Sequence, residues 1–457
     1  MRRPILVGGV SLSLGLWLWQ SWHESIMQVG EFGLVGAIAL GTGFWLWKQK
    51  SSFSSSVSVS EVLSPVDQET VEAAIATAEK TIDYLESEAD SFAVEALRVK
   101  LNQLPELLHR EVLQVAIAGG KKVGKSSLQA ILGAGEEEDI IWQEIPVEEK
   151  VPVAADLVLY LTGGDITDSE LKVLQKLSGN RYGILLLLNK QDCYLPEEGM
   201  AIIQQLRRRI EGVLVKENVL GIAAAPGDVK VRQHQEDGAV EEWWEPQQPD
   251  IEGLHFPLQQ LLKEEKEQLV WATTWRQAMA LQEEAKEVIN NLRRDRALPI
   301  MEKYQWVAAA AAFANPVPAL DMLATAAINA QLVVDLGAIY QQKFSLAQAQ
   351  NAAGTLGKLM VQLGLVELST QTIGSILKSH GLTYVAGGAV QGVSAAYLTR
   401  LAGLSLMAYF QEQQLDSSCG EGFNFAKLGE KLQAVFQSNQ RQAFLQGFVK
   451  QVMASSL

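Results

Sequence analysis

The stretch GGKKVGKSS, Gly119 to Ser127, fits the phosphate-loop pattern G-x-x-x-x-G-K-[ST] through Gly119, Gly124, Lys125 and Ser126. Before it, LQVAIA (Leu113 to Ala118) is a short apolar run that predicts a buried strand. After it, SLQAIL (Ser127 to Leu132) predicts a helix. Strand, glycine-rich loop and helix together give the pattern a mechanism. Backbone N–H groups of Gly120, Lys121, Lys122, Val123 and Gly124 can curl around a phosphate, and the helix N-terminus adds the positive end of its dipole. Lys125 is placed to reach β- and γ-phosphates, and the Ser126 hydroxyl to ligate Mg²⁺, with Ser127 closing the stretch.

Outward from the loop the pattern is α/β. DLVLYL (Asp156 to Leu161) and GILLLL (Gly183 to Leu188) are continuous apolar runs, as strands buried on both faces of a parallel sheet are. Leu171 to Leu177 is helical between them. The second run ends in Asn189-Lys190-Gln191-Asp192, an NKxD tetrapeptide at the carboxyl end of a strand, where open parallel sheets place their ligands. A carboxylate at Asp192 accepts two hydrogen bonds from N1–H and the 2-amino group of guanine, a pair that adenine does not offer, and the Lys190 stem lies along the base.

Phosphate loop, NKxD and the following strand, Val219 to Ala223, together resemble the Era-like GTPases. The resemblance implies GTP or GDP with Mg²⁺ as cofactors. It also implies a base contact from the backbone N–H of Ala224 or Ala225, where that family usually has Ser-Ala. The chain departs from the family at both switches. Between Ser127 and Thr162 there is no Ser or Thr, and Asp139, followed by Ile140 and Ile141, is the only Asp between Lys125 and Asp156. Asp156 itself opens a strand that in the family follows the D-x-x-G box. The acidic run Glu136 to Asp139 reads as a solvated loop, with a substitute Mg²⁺ ligand as the rival reading. Without a water-positioning switch the expectation is a guanine-nucleotide site with slow or no hydrolysis and no catalytic residue. Val231 to Trp244 predicts a hairpin turning at Asp237-Gly238, with Trp243-Trp244 as packing.

A net charge of −15 argues against a nucleic-acid partner. Two distant cysteines, Cys193 and Cys419, exclude a disulfide framework. Pro4 to Trp22 and Phe32 to Trp47 are apolar and uncharged, near the shorter limit of the roughly 17–25 residues that span a bilayer. Arg2 and Arg3 precede them and Lys48 and Lys50 follow. A transmembrane hairpin over 1–50, with both termini and the other domains cytoplasmic, is therefore expected. A Ser-rich linker (51–64) and a helical stalk (65–110) follow. In the stalk Val71, Ala74, Ile75, Ala78, Ile82 and Leu85 form one stripe, and the second helix is expected to stop near Pro105.

Beyond the nucleotide domain (111–258) comes a charged connecting helix (259–298). Its cluster Arg293-Arg294-Asp295-Arg296 is either a solvated end or a contact for anionic lipid head groups. From Trp306 to about Phe410 the chain is rich in Ala, Gly, Leu and Val, with helices expected over Ala319 to Gln342, Leu346 to Leu377 and Tyr384 to Phe410. Gly387-Gly388-x-x-x-Gly392 suits close helix approach. The stretch ANPVPALDMLATAAINAQLVVDLGAIY resembles the YcjF-type domain that bacteria fuse to Era-like domains. The resemblance covers Trp306 to about Phe410, within an expected helical domain of 299–415, and supplies no catalytic residues. An amphipathic helix closes the chain (416–457), with Phe425, Leu428, Leu432, Val435 and Phe436 on one face. The expected whole is an anchored guanine-nucleotide-binding scaffold whose partners are membrane lipids, an unknown protein or a second copy. Its rivals are an assembly-stimulated membrane-remodelling GTPase and an interaction module without nucleotide.

Overall fold

The computed structural model describes residues 66–88, 92–135, 139–147, 149–234, 240–314, 318–368, 371, 373–374, 388–413 and 423–439. In chain order its elements are α1 (Gln68–Glu88), α2 (Phe92–Leu107), β1 (Leu113–Gly119), α3 (Lys125–Gly133), β2 (Ile140–Glu144), β3 (Leu157–Thr162), α4 (Asp168–Gly179) and β4 (Gly183–Leu188). Then come α5 (Pro196–Arg209), β5 (Val219–Gly221), β6 (Val229–His234), β7 (Val240–Glu245), α6 (Glu252–Gln259) and α7 (Lys266–Ala314). The last four are α8 (Pro318–Ile339), α9 (Leu346–Gln362), α10 (Gly388–Gln413) and α11 (Phe425–Asn439). These elements divide into two compact units, one holding Val112–Leu269, the other Val66–Glu111 and the chain from Val270 onward.

The first unit is an α/β domain on a five-stranded sheet in the order β2-β1-β3-β4-β5, every neighbouring pair parallel. All of β3 is buried, and β4 is buried from Ile184 to Leu188. Leu185, Leu186 and Leu187 are fully buried, each contributing about 2 kcal/mol of hydrophobic stabilisation. From β1 the chain moves to β2 on one side, then crosses back to β3 and on to β4 and β5 on the other. The order therefore reverses at β1 and β3, and the crevice at their carboxyl ends is where such sheets hold ligands.

β2 was not anticipated. It is short, and its burial alternates, with Ile141 and Gln143 exposed, so its sequence lacks the continuous apolar signal of β3 and β4. The hairpin strands β6 and β7 pair antiparallel as expected, but Trp243 is 40% and Trp244 64% exposed, so the pair does not serve as packing among the described residues.

The second unit is helical. α1 and α2 bury Ala78, Ile82, Leu85, Leu97 and Leu101 with Ala278, Leu281 and Ala285 of α7, so the two stalk helices belong to this unit. Pro105 lies inside the last turn of α2, which runs past it to Leu107. Likewise α7 runs through Pro299 without ending, and the expected limit between 298 and 299 falls inside one helix. A larger core joins α7, α8, α9, α10 and α11 through Met301, Leu336, Leu356, Tyr397, Phe410 and Leu428. Gly392 and Gly403 let α10 approach α7: an added Cβ would stand 3.0 Å from the Ala309 carbonyl oxygen and 2.6 Å from Met301, respectively. α11 buries Leu428, Leu432 and Phe436 in that core, so its apolar face is packed.

Within the basic cluster of α7, Arg293 is packed rather than solvated or free for lipid, while Arg294, Asp295 and Arg296 are exposed. Arg293 is fully buried, and its guanidinium donates to Glu88 and to the Tyr84 hydroxyl, at the end of α1. Arg296 donates to the Glu88 carbonyl oxygen at 2.8 Å, and Gln341 to the Glu88 carboxylate at 3.1 Å. Burial pushes the Glu88 carboxyl up, but the hydrogen bonds from Arg293 and Tyr84 outweigh it and hold Glu88 below the ordinary value of 4.5.

The integral-membrane expectation is corrected. Among the described residues no helix is long and apolar enough to cross a membrane. The two stretches proposed as a hairpin, and the Ser-rich linker up to Ser64, lie outside the described residues, as do Glu136 to Glu138, the turn at Asp237-Gly238 and Gly387.

Candidate functional site

The phosphate loop joins β1 to α3 at the reversal point of the sheet. Gly119 has φ 138°, and a Cβ there would stand 2.2 Å from the Leu161 carbonyl oxygen of β3, so no side chain fits. Lys122 and Gly124 are left-handed, at φ 59° and 91°, and a Cβ on Gly124 would stand 2.2 Å from the Asn189 amide nitrogen. Left-handed residues in a short loop turn successive N–H groups toward one point, as an anion cradle requires. Lys121 and Lys122 are exposed, while Gly120, Val123 and Ser127 are half-buried.

The Lys125 side chain is 7% exposed and arches back across the loop, donating to the carbonyl oxygens of Gly120 at 3.0 Å and Gly119 at 3.3 Å. The Ser126 hydroxyl donates to Glu144 Oε2 at 2.6 Å, and Glu144 Oε1 stands 4.0 Å from Lys125 Nζ. Glu144 ends β2, in register with Ile117 on β1. Sequence reasoning missed it. The available signal was an acid ending the apolar run Ile140 to Trp142, but the parallel pairing with β1 is what brings it to the loop. A second carboxylate, Glu170, is near: a Cβ on Gly120 would lie 3.4 Å from its Oε1. Its other oxygen caps α4, accepting from the Thr167 backbone N–H at 2.7 Å and hydroxyl at 2.8 Å. Tyr160 on β3 has its phenol pushed up to about 12 by burial, with the Glu170 charge adding.

Asn189 links the loops. Its side-chain amide donates to the Val123 carbonyl oxygen at 2.7 Å and accepts from Ala224 N–H at 2.9 Å, and its backbone N–H donates to Thr162 at 2.9 Å. Ala224 N–H is thus committed within the protein, leaving the exposed Ala225 as the backbone donor for a base. Lys190 is left-handed at φ 66° and exposed. The exposed Asp192 accepts from Gly227 N–H at 3.1 Å, which aims its carboxylate along the Ala224 to Gly227 loop. Gly221 admits the Gln191 side chain, whose amide nitrogen would lie 1.9 Å from an added Cβ. Asp156 is fully buried at the opposite end of the sheet, accepting from Gln114 N–H at 2.7 Å, and takes no part in the site.

The donor set suits Mg²⁺ on one count. The Ser126 hydroxyl and Glu144 carboxylate are adjacent hard oxygen donors. Among the described residues no group of three or more His, Cys, Asp or Glu could hold a metal unaided, so phosphate oxygens would have to complete its shell.

No curated protein matches the chain. Residues 276–442, all within the helical unit, match the family described as Domain of unknown function (DUF697).

Proposed function

We propose that the α/β unit is an Era-like guanine-nucleotide-binding domain that holds GDP or GTP with Mg²⁺ and hydrolyses GTP slowly or not at all. The protein would act as a regulatory scaffold whose nucleotide state is read by a partner protein or a second copy. One observation carries the reading: the Asn189 side chain bridges Val123 of the phosphate loop and Ala224 of the loop beside Asp192, so phosphate and base determinants form a single constellation. In it the loop N–H groups and Lys125 bind phosphate, Asp192 accepts from the guanine edge, Ala225 N–H donates to its carbonyl oxygen, and Ser126 holds the cation. When bound, Mg²⁺ offsets phosphate charge.

Equilibrium binding of fluorescent GDP and xanthosine diphosphate to the full-length protein tests this. Asp192→Asn removes an acceptor for two guanine N–H groups and presents a donor to the 2-oxo group of xanthine. We expect a loss of GDP affinity worth about 2 kcal/mol, ~30-fold, with a gain for the xanthine nucleotide. Unchanged base preference would refute the assignment.

A second reading, an interaction module without nucleotide, is favoured by the partners that Lys125 and Ser126 already find within the chain. Failure of near-millimolar GDP to bind, with or without Mg²⁺, would decide for it.

A further inference from the structure

We propose that the open edge of β7 is a docking site for an extended, basic segment of a partner protein, which adds to the β6–β7 hairpin as a third strand. The surface lies outside the phosphate loop and the NKxD turn, and its role does not depend on what they hold.

The hairpin is anchored at its root and uncovered along its length. Paired backbone bonds fix the root to the α/β unit: Ala223 N–H donates to the Asp250 carbonyl oxygen at 2.7 Å, and Asp250 N–H to that of Ala223 at 2.9 Å. Beyond the root, β6 and β7 pair only with each other among the described residues. Each strand therefore keeps one row of backbone N–H and C=O groups that no other strand covers. A two-stranded hairpin is marginal in water by itself, and a third strand stabilises it. Val229, Val240, Trp243 and Trp244 are all exposed, so apolar surface stands open on both faces.

Charge identifies the occupant. From Ala225 to Glu252 the sequence carries eight Asp or Glu and two Lys or Arg. The two cations are Lys230 and Arg232, at alternate positions of β6, and both pair with Glu242 of β7, Arg232 Nε at 2.6 Å. On its inner edge β7 thus already carries one extended strand with a cation at every second residue. A strand added at the outer edge meets the same rows of side chains from the other side. Glu242 and Trp244 share the face of Lys230 and Arg232, while Trp243 and Glu245 share the face of Val229 and Val231. Carboxylates beside exposed indole rings suit Lys and Arg, which pair with the acid and lie over the ring. Main-chain bonds along the open edge then supply affinity, and the alternating cations supply selection. A second copy of the chain would set the same acidic excess against itself, and an anionic lipid surface would repel it.

The test is fluorescence anisotropy of labelled octapeptides with the full-length protein at about 0.15 M salt. The probes are a peptide of alternating Arg and Thr, the same residues in two blocks, an alternating Glu and Thr peptide, and an N-methylated alternating Arg peptide that cannot donate backbone hydrogen bonds. We expect saturable binding of the alternating Arg peptide, about tenfold weaker binding of the block and N-methylated forms, and none of the Glu peptide. Trp244→Ala and Glu245→Gln should each weaken the alternating peptide about fivefold, the worth of one exposed ring or carboxylate contact with a cation. Both side chains are exposed, so both variants should melt close to wild type. Equal affinity for the alternating and block peptides would leave only undirected charge attraction and overturn the inference. So would the absence of saturable binding up to about 1 mM peptide. Self-association of the peptide-free protein in sedimentation velocity, abolished by Trp244→Ala, would give the edge to a second copy. Binding to vesicles of anionic phospholipid that needs Trp244 would give it to a membrane. Either result would also overturn the inference.

Discussion

Asn189 shows how one side chain ties three loops together. It is 2% exposed and uses both ends of its amide, on the Val123 carbonyl oxygen and the Ala224 N–H. Asn189→Ala removes the partner of the buried Ala224 N–H and of the part-buried Val123 carbonyl oxygen, and an orphaned buried group costs about 1–3 kcal/mol. We expect a loss of about 3 kcal/mol in urea unfolding of the full chain, with GDP binding weakened together with stability. Asp192→Asn, by contrast, alters an exposed carboxylate and should change base preference at wild-type stability. The two substitutions lie within one tetrapeptide, and burial alone separates their expected outcomes. At this scale the tetrapeptide was legible because an acid of that kind at a strand end has a definite chemistry. Glu144 was not, because its partner Ser126 lies 18 residues away in sequence and only the pairing of β2 with β1 brings them together.

Among the elements, α1 and α7 are locked by a charged contact. Glu88 at the end of α1 is held by Arg293, fully buried in α7, while Arg296 donates to its backbone carbonyl oxygen and Gln341 to its carboxylate. Removing one partner of a buried pair strands the other charge, at a cost of about 3–5 kcal/mol. The folded Glu88 lies below its ordinary value of 4.5, so its contribution is fully present above that value and is lost as pH falls through the lower folded value. We expect Glu88→Gln to melt well below wild type at neutral pH, and the gap to narrow under acid conditions below the ordinary glutamate range. Thermal unfolding followed by circular dichroism across that range checks both the magnitude and the sign. The sequence pattern showed the apolar stripe of α1 and a charged helix in place of α7. It gave Arg293 to solvent or lipid with the rest of its cluster, because a charge run carries no mark of the distant acid that pairs with one of its members.

At the scale of the whole molecule, the α/β unit has a strand order with one strand, β2, on the far side of β1. The chain from β2 to β3 contains no hydroxyl residue and no aspartate before Asp156, which is buried at the wrong end of the sheet. With no hydroxyl residue or switch aspartate in that segment to position a water against a γ-phosphate, phosphate release from GTP by the full-length protein should run no faster than about 10⁻³ s⁻¹, the range of phosphate-loop enzymes lacking transition-state help. Faster release abolished by Lys125→Ala would show that the water is positioned by groups outside this segment. The helical unit contributes no catalytic group to this account. Its match to a domain of unknown function covers 276–442, while its core also takes in α1 and α2 from the other side of the sheet domain in sequence.

What the sequence by itself determined was local. The phosphate loop, the apolar strands β1, β3 and β4, the NKxD turn and the amphipathic stripes of α1 and α11 each follow from residue type and spacing, since those set backbone conformation within a few neighbours. What only the tertiary structure decided was partnership. Glu144 meets Ser126, Ala224 N–H is committed to Asn189, Glu88 meets Arg293 across 205 residues, and the first two helices join the helical unit rather than standing as a stalk. The physical reason is that burial and charge pairing depend on which segments the fold brings together, and neither a charged side chain nor a free N–H carries any record of its distant partner in the residues beside it.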